Sequence, residues 1–147
     1  MVVCQLSFQD DDLFSKIIEI ERQYINNPEE CIRSSEKDVE NCLLSGCSYG
    51  VFDNGELVAF SLCYHSDYCT GYIDKCFVVP EYRGNKIQRT LLKKNIEALR
   101  VKGVDEVFAM VAPKNIASVR SFWSVGFEIK KNITFDNVER RLLKMCL

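Results

Sequence analysis

Val78-Val79-Pro80-Glu81-Tyr82-Arg83-Gly84-Asn85-Lys86-Ile87-Gln88 reads as a β-branched strand that meets a proline, an Arg-Gly turn and then an amphipathic helix. The first amides of a helix have no acceptor within it, and the positive end of the helix dipole lies beside them. Such a junction suits a phosphate. The bland alternative is a plain strand-turn-helix junction with Arg83 and Lys86 solvated. Upstream, Asp74 lies on the same expected strand, four residues before Val78 and so on the same face by simple alternation. A carboxylate there could take a proton from an amine, directly or through water. It could equally be paired with a neighbouring basic group. His65 ends a strand, and its ordinary pKa suits proton transfer, although a lone histidine is more often incidental. Downstream, Asn115 is a good helix cap and Gly126 a good helix stop, with apolar Phe127 beyond it.

These residues need elements to hold them. Residues 2–6 read as a first strand. Asp10 or Asp11 can cap a helix whose stripe is Leu13, Phe14, Ile17, Ile18 and Tyr24, broken by Asn26-Asn27-Pro28. A more polar helix follows over 35–44, ended by Gly46. Strands over 48–53 and 56–64 are joined by Asn54-Gly55, a dipeptide that favours a two-residue hairpin turn. A buried central strand spans 72–79. A long helix over 85–102 turns Ile87, Leu91, Leu92, Ile96 and Leu99 to the core and stops at Gly103. A strand over 106–111, a short helix over 115–125 and a closing hairpin of 127–135 and 138–146 complete the chain. This order predicts a mixed sheet with helices on its faces. Phe8, Phe14, Tyr24, Tyr49, Phe52, Phe60, Phe108 and Trp123 sit at strand and helix spacings and read as core, with an aromatic acceptor pocket as the alternative.

The chain's 147 residues, 47% of them apolar, are enough for one domain with a full core. The net charge of −2 makes no general case for nucleic acid. It is unevenly spread: residues 1–46 hold four basic and ten acidic side chains, and residues 83–147 hold fourteen basic and six acidic. One half suits a cation and the other an anion, unless the split is only solvated surface charge. No leader pattern or bilayer-length apolar run is visible, so a cytoplasmic protein without membrane contact is expected. The eight cysteines include no C-x-x-C pair, and there is one histidine, so no metal site is expected and the thiols read as free, several of them buried. Neither a Rossmann fingerprint nor a P-loop is present.

The stretch from Val78 to Gln88 resembles the strand, V-x-P-x-[YF] and [RQ]-x-x-G-x-[GA] motif of the GNAT superfamily of acyl-CoA-dependent N-acyltransferases. Asn115 to Phe127 resembles that family's N-x-x-[AS]-x-x-x-[YF]-x-x-x-G-F. The resemblance implies a mixed, mostly antiparallel central sheet of about seven strands flanked by about four helices, with residues 1–147 forming a single acetyltransferase domain. It implies acetyl-CoA as cosubstrate. Arg83, Gly84, Asn85, Lys86, Ile87, Gln88 and Arg89 would hold its pyrophosphate. Phe77, Val78 and Val79 would lie along the pantetheine arm, Val78 through its backbone, where the strand splays from its neighbour. Asn115 would hydrogen-bond the pantetheine region and Ser118 would sit near the arm. Lys86 and Gln88 depart from the pattern, standing where glycine and Gly/Ala are usual. Position 122 is usually a tyrosine that protonates the leaving thiolate; Phe122 has no proton to give, which leaves water, Tyr64 or Tyr68.

The reading is thus an N-acetyltransferase acting on an amine, either a cationic small molecule or a peptide amine, with Asp74 as base and Phe122 beside the thioester. A monomer or homodimer is expected. The alternatives are a non-catalytic acyl-CoA-binding or regulatory module on the same fold, and a basic half that binds some other phosphate ligand.

Overall fold

The alternating and continuous apolar runs of the central segments can be buried only inside a sheet, and the computed structural model places them there. It describes residues 1–10, 12–66, 69–135 and 137–147. The elements run β1 (Val2–Gln5), α1 (Leu13–Tyr24), α2 (Glu36–Leu44), β2 (Tyr49–Asp53), β3 (Glu56–His65), β4 (Thr70–Val78), a 3₁₀ turn (Pro80–Tyr82), α3 (Ile87–Val101), β5 (Glu106–Val111), α4 (Ile116–Ser124), β6 (Glu128–Phe135) and β7 (Val138–Cys146). All seven strands form one sheet in the order β1-β2-β3-β4-β5-β7-β6. Every neighbouring pair is antiparallel except β4 and β5. That parallel pair requires a crossover, and α3 supplies it. The expected mixed sheet with four flanking helices is the fold. Among the described residues no helix is long and apolar enough to cross a membrane.

Helices cover both faces. On one, Leu92, Ile96 and Leu99 of α3 and Phe122 of α4 pack with Ile73, Val107 and Leu143. On the other, Leu13 and Ile17 of α1 and Val39 and Leu43 of α2 pack with Phe60, Leu62 and Phe77. The five α3 residues expected in the core are all buried, each contributing about 1.5–3 kcal/mol.

Some local expectations fail. Asp10 does not cap α1: the residue before the helix is Asp12, which makes no capping hydrogen bond, and Asp10 supplies only its main-chain carbonyl to the Leu13 amide. Asp11 lies outside the described residues. The third helix begins at Ile87 rather than Asn85, because Lys86 adopts the left-handed conformation at φ 59°. Trp123 is 72% exposed and Phe8 42% exposed, so neither is core. Trp123 follows buried Phe122 on α4, and one residue turns a helix by about 100°. Phe8 precedes α1 and meets only the edge of Phe14 at 6.2 Å.

The feature that positions the site is a β-bulge. β3 and β4 pair in register from Ala59 and Val78 to Leu62 and Lys75, then resume at Cys63 and Ile73. Asp74 is the extra residue. A bulge bends its strand and re-aims the side chains beyond it. Ile73 faces α3, yet Lys75 and Phe77, two and four residues on, face α1. β5 accompanies β4 only as far as Ile73 opposite Ala109. Beyond the bulge the two strands part, which is the splay that the resemblance implied.

Candidate active site

Two hollows open where β4 and β5 diverge. One, of about 570 Å³, is bordered by Tyr24, Phe77, Val78, Arg83, Gly84, Lys86, Ile87, Gln88 and Lys114. The other, of about 700 Å³, is bordered by Ser34, Asp38, Tyr64, Tyr72, Asp74, Phe108, Phe122 and Arg140. They join at Glu30, Cys31, Cys76, Asn115 and Ser118, which line both.

The first hollow is built for an anion. Gly84 turns the chain at φ +86°, and Lys86 turns it again before α3. Among the described residues the amides of 84–89 donate to no carbonyl or side chain; the first bonded amide is Thr90, to the Lys86 carbonyl at 3.1 Å. Arg89 Nε is buried without a partner. Arg83 is anchored, its Nε donating to the Val78 carbonyl at 2.9 Å and its guanidinium lying 5.5 Å from the Phe77 ring centroid. Six unpaired amides, with Arg83, Lys86 and Lys114 on the border, fit a diphosphate, and in this chain a lysine occupies the left-handed position that glycine favours. Gln88 Nε2 donates to Ser118 Oγ at 2.9 Å, so the departure at position 88 braces α3 against α4.

The strand edge beside this hollow has no partner strand among the described residues, although Arg83 already donates to its Val78 carbonyl. The Val79 amide donates to Val58 on the β3 side at 2.9 Å. Alternation then directs the main chain of Val78 and Cys76 toward the gap left by β5. Phe77 and Val78 border the hollow; Val79, Asn85 and Arg89 are not on its border. Asn115 accepts from the Ser118 amide through Oδ1 at 3.2 Å, capping α4 as expected.

The second hollow carries the proton-transfer candidates. Asp74 and Val78 are not on one face, contrary to simple alternation: Asp74 faces Ser34, while Val78 packs with Ile87 and Leu91 under α3. The bulge is the reason. Asp74 Oδ2 accepts from Ser34 Oγ at 2.8 Å. Burial pushes its carboxyl above the usual range, offset in part by the Lys75 ammonium and the Ser34 hydroxyl. No basic side chain forms an ion pair with Asp74 among the described residues, so the paired alternative does not hold. Lys75 instead meets Glu21 at 3.0 Å in a buried pair and donates to the Ile32 carbonyl. Glu21 Oε1 also accepts from the Ser34 amide at 3.0 Å. The pair thereby holds the loop that presents Ser34.

Tyr64 stacks on Tyr72 at 5.0 Å, and Tyr72 on Phe108 at 6.2 Å, so Phe108 belongs to an aromatic cavity wall as well as the sheet. Burial, then Asp74, pushes the Tyr64 phenol up to about 12, so it keeps its proton. Tyr68 lies outside the described residues. Phe122 is buried edge-on against Phe127 and borders the hollow. His65 borders neither hollow. Burial raises the Cys31 thiol and pushes that of Cys76 to about 12, so neither junction cysteine is a ready thiolate nucleophile.

Ser34, Tyr72, the Glu21–Lys75 pair and Arg140 were missed by sequence reasoning. Tyr72 alone left a signal, two residues from Asp74 on the same strand. The others gain meaning only from contacts far apart in the chain.

No curated protein sequence matches the chain. Among solved structures, the NatC complex bound to Gag peptide and CoA contains a similar chain, with TM-score 0.82 and 18% identity over 99% of this chain and 98% of that one. The ribosomal-protein-S18-alanine N-acetyltransferase from Escherichia coli is similar at TM-score 0.75 and 18% identity, over 99% and 92%. PaiA N-acetyltransferase from Thermoplasma acidophilum in complex with coenzyme A is similar at TM-score 0.76 and 19% identity, over 99% and 98%. These likenesses concern the fold; the sequence pattern of the Acetyltransferase (GNAT) family reaches further, matching residues 14–127. The open strand edge and the anion-ready turn fall inside that match, and the chain belongs to the GNAT acetyltransferase family, acyltransferases whose donor is acetyl-CoA.

Proposed function

We propose that the whole chain, residues 1–147, acts as one N-acetyltransferase whose acceptor amine enters the cavity beside Asp74. The observation that carries this reading is the bulge at Asp74. At that bulge a half-buried carboxylate, bonded to the Ser34 hydroxyl but without an ion-pair partner among the described residues, borders the cavity where the sheet opens.

Acetyl-CoA supplies a thioester carbonyl open to attack. The amides of 84–89, with Arg83, Lys86, Arg89 and Lys114, bind the diphosphate. The Val78 and Cys76 backbone binds the arm as a strand would, and the Asn115 amide group and Ser118 flank it. The Val78 amide faces the gap and polarises the carbonyl. An acceptor amine is protonated at neutral pH and must lose a proton before its nitrogen bonds to the carbonyl carbon. Asp74 takes that proton; its raised pKa makes it a better base than an exposed carboxylate. The C–S bond then breaks, and the leaving sulfur gains a proton from water or Tyr64, because Phe122 cannot supply one. Asp38 and Asp74 give the wall nearest the amine a negative charge. Two of the similar structures hold a peptide or act on a protein by name, which supports a peptide amine as well as a small one.

The test is kcat/KM against pH for the native enzyme and Asp74→Asn. Activity should rise as Asp74 loses its proton, with a midpoint above the usual carboxylate range. Asp74→Asn should remove that limb and lower kcat by roughly 10²–10⁴-fold. Stability is the control. A carboxyl whose folded pKa is raised costs stability at neutral pH, so Asp74→Asn should fold at least as stably. An unchanged pH profile would rule out Asp74 as the base.

A further inference from the structure

Among the described residues three charged side chains are buried: Glu21, Lys75 and Arg140. Glu21 and Lys75 compensate one another at 3.0 Å. Arg140 is 4% exposed and forms no ion pair among the described residues. Its guanidinium donates to two main-chain carbonyls, that of Glu139 at 2.8 Å and that of Pro28. Neutral carbonyls satisfy part of the fork but leave its charge uncompensated, and a buried ion without a counter-charge is costly.

Arg140 also borders the acceptor cavity. The strand order β4-β5-β7 puts it on the opposite wall from Asp74, across the splay. The other cations of that cavity are engaged differently. Lys75 is held by Glu21. Arg33 is exposed, and it donates to the Ile25 and Arg22 carbonyls and Asn26 Oδ1 at 2.7, 2.9 and 2.8 Å. The cavity therefore has a carboxylate on its β4 wall and an uncompensated guanidinium on its β7 wall.

We propose that Arg140 binds a carboxylate of the acceptor, so that the substrate is an amine that also carries an acid group, such as a free amino acid. This rests on the acceptor reading above. The amine faces Asp74 and the carboxylate faces Arg140, whose planar fork matches a carboxylate better than an ammonium point charge would. The main-chain contact to Pro28 fixes the guanidinium in advance by tying the loop after α1 to β7.

The test compares amino acids with their C-terminal amides as acceptors, in the native protein, Arg140→Gln and Arg140→Lys. Gln keeps a donor for the carbonyls without the charge; Lys keeps the charge without the fork. The native enzyme should favour each acid over its amide by roughly 10- to 100-fold in kcat/KM. Arg140→Gln should abolish that preference, and Arg140→Lys should reduce it. A purely structural role would lower both acceptors alike and leave their ratio unchanged. Calorimetric titration of N-acetyl amino acids and N-acetyl amino acid amides into the CoA-loaded protein gives a second readout, independent of turnover. Acid-selective binding that Arg140→Gln removes supports the proposal. Equal kcat/KM for acids and amides in the native enzyme overturns it and leaves the amine reading intact. If no amine is acetylated, the amine reading fails, and the titration alone decides for or against Arg140.

Discussion

Replacing Lys75 by Met should be the most damaging single change near the site that touches no reacting atom. Lys75 and Glu21 have side chains 7% and 2% exposed and meet at 3.0 Å. Removing one partner of a buried pair leaves the other charge unpaired, at a cost of about 3–5 kcal/mol. A domain of this size has roughly 5–15 kcal/mol in total. At about 2–4 °C per kcal/mol, the melting temperature should fall by roughly 6–20 °C. The double variant Glu21→Leu, Lys75→Met leaves no stranded charge. It loses mainly the bonds to the Ser34 amide and the Ile32 carbonyl, at about 1 kcal/mol each, so it should be more stable than Lys75→Met alone. Urea unfolding of the two single variants and the double closes the cycle, with an expected coupling of at least about 4 kcal/mol. Turnover should not recover with stability, because the loop that presents Ser34 to Asp74 is no longer held. A loss below about 1 kcal/mol for Lys75→Met, or a double variant no better than the single, would refute the argument.

Three further changes test other parts of the site. Lys86→Gly relieves a left-handed lysine, so the ligand-free protein should gain about 0.5–1 kcal/mol in denaturant unfolding, while CoA affinity weakens and its salt dependence becomes shallower; tighter binding at every salt concentration would make Lys86 an obstruction. Phe122→Tyr should raise kcat, toward the roughly 10²-fold that a general acid contributes, in a steady-state thiol-release assay; an unchanged kcat would remove position 122 from the catalytic argument. Ser34→Ala withdraws a hydrogen bond that lowers the Asp74 pKa, so the acid limb of kcat/KM should move to higher pH, and a fixed limb would show that Ser34 does not act through Asp74.

The elements were legible because each rests on local rules. The α3 stripe and the Asn54-Gly55 hairpin needed only periodicity and turn chemistry, and the Asn115 cap is a contact three residues long. The glycine turn before α3, with its unpaired amides, was legible for the same reason. The bulge was not, because it is defined by how β4 pairs with β3 and where β5 leaves it. That one residue reversed the face assigned to Asp74 relative to Val78. Glu21 read as part of an acidic surface, since nothing near it in sequence reveals a lysine 54 positions away. Arg140 read as one of many basic residues in the second half, and its contact with Pro28 spans 112 positions. Lys86 gave no sign of a left-handed backbone, because lysine rarely adopts one and the surrounding turn imposes it.

The central claim is that this site moves an acetyl group from acetyl-CoA to an amine. The direct measurement is one reaction, with purified protein, acetyl-CoA and a panel of amino acids, peptides and polyamines, in which released CoA thiol and N-acetylated product are quantified together. The account predicts equal amounts of thiol and product with at least one amine, and loss of both in Asp74→Asn. Thiol release without N-acetyl product, or no turnover across the panel in protein that binds CoA, would contradict it.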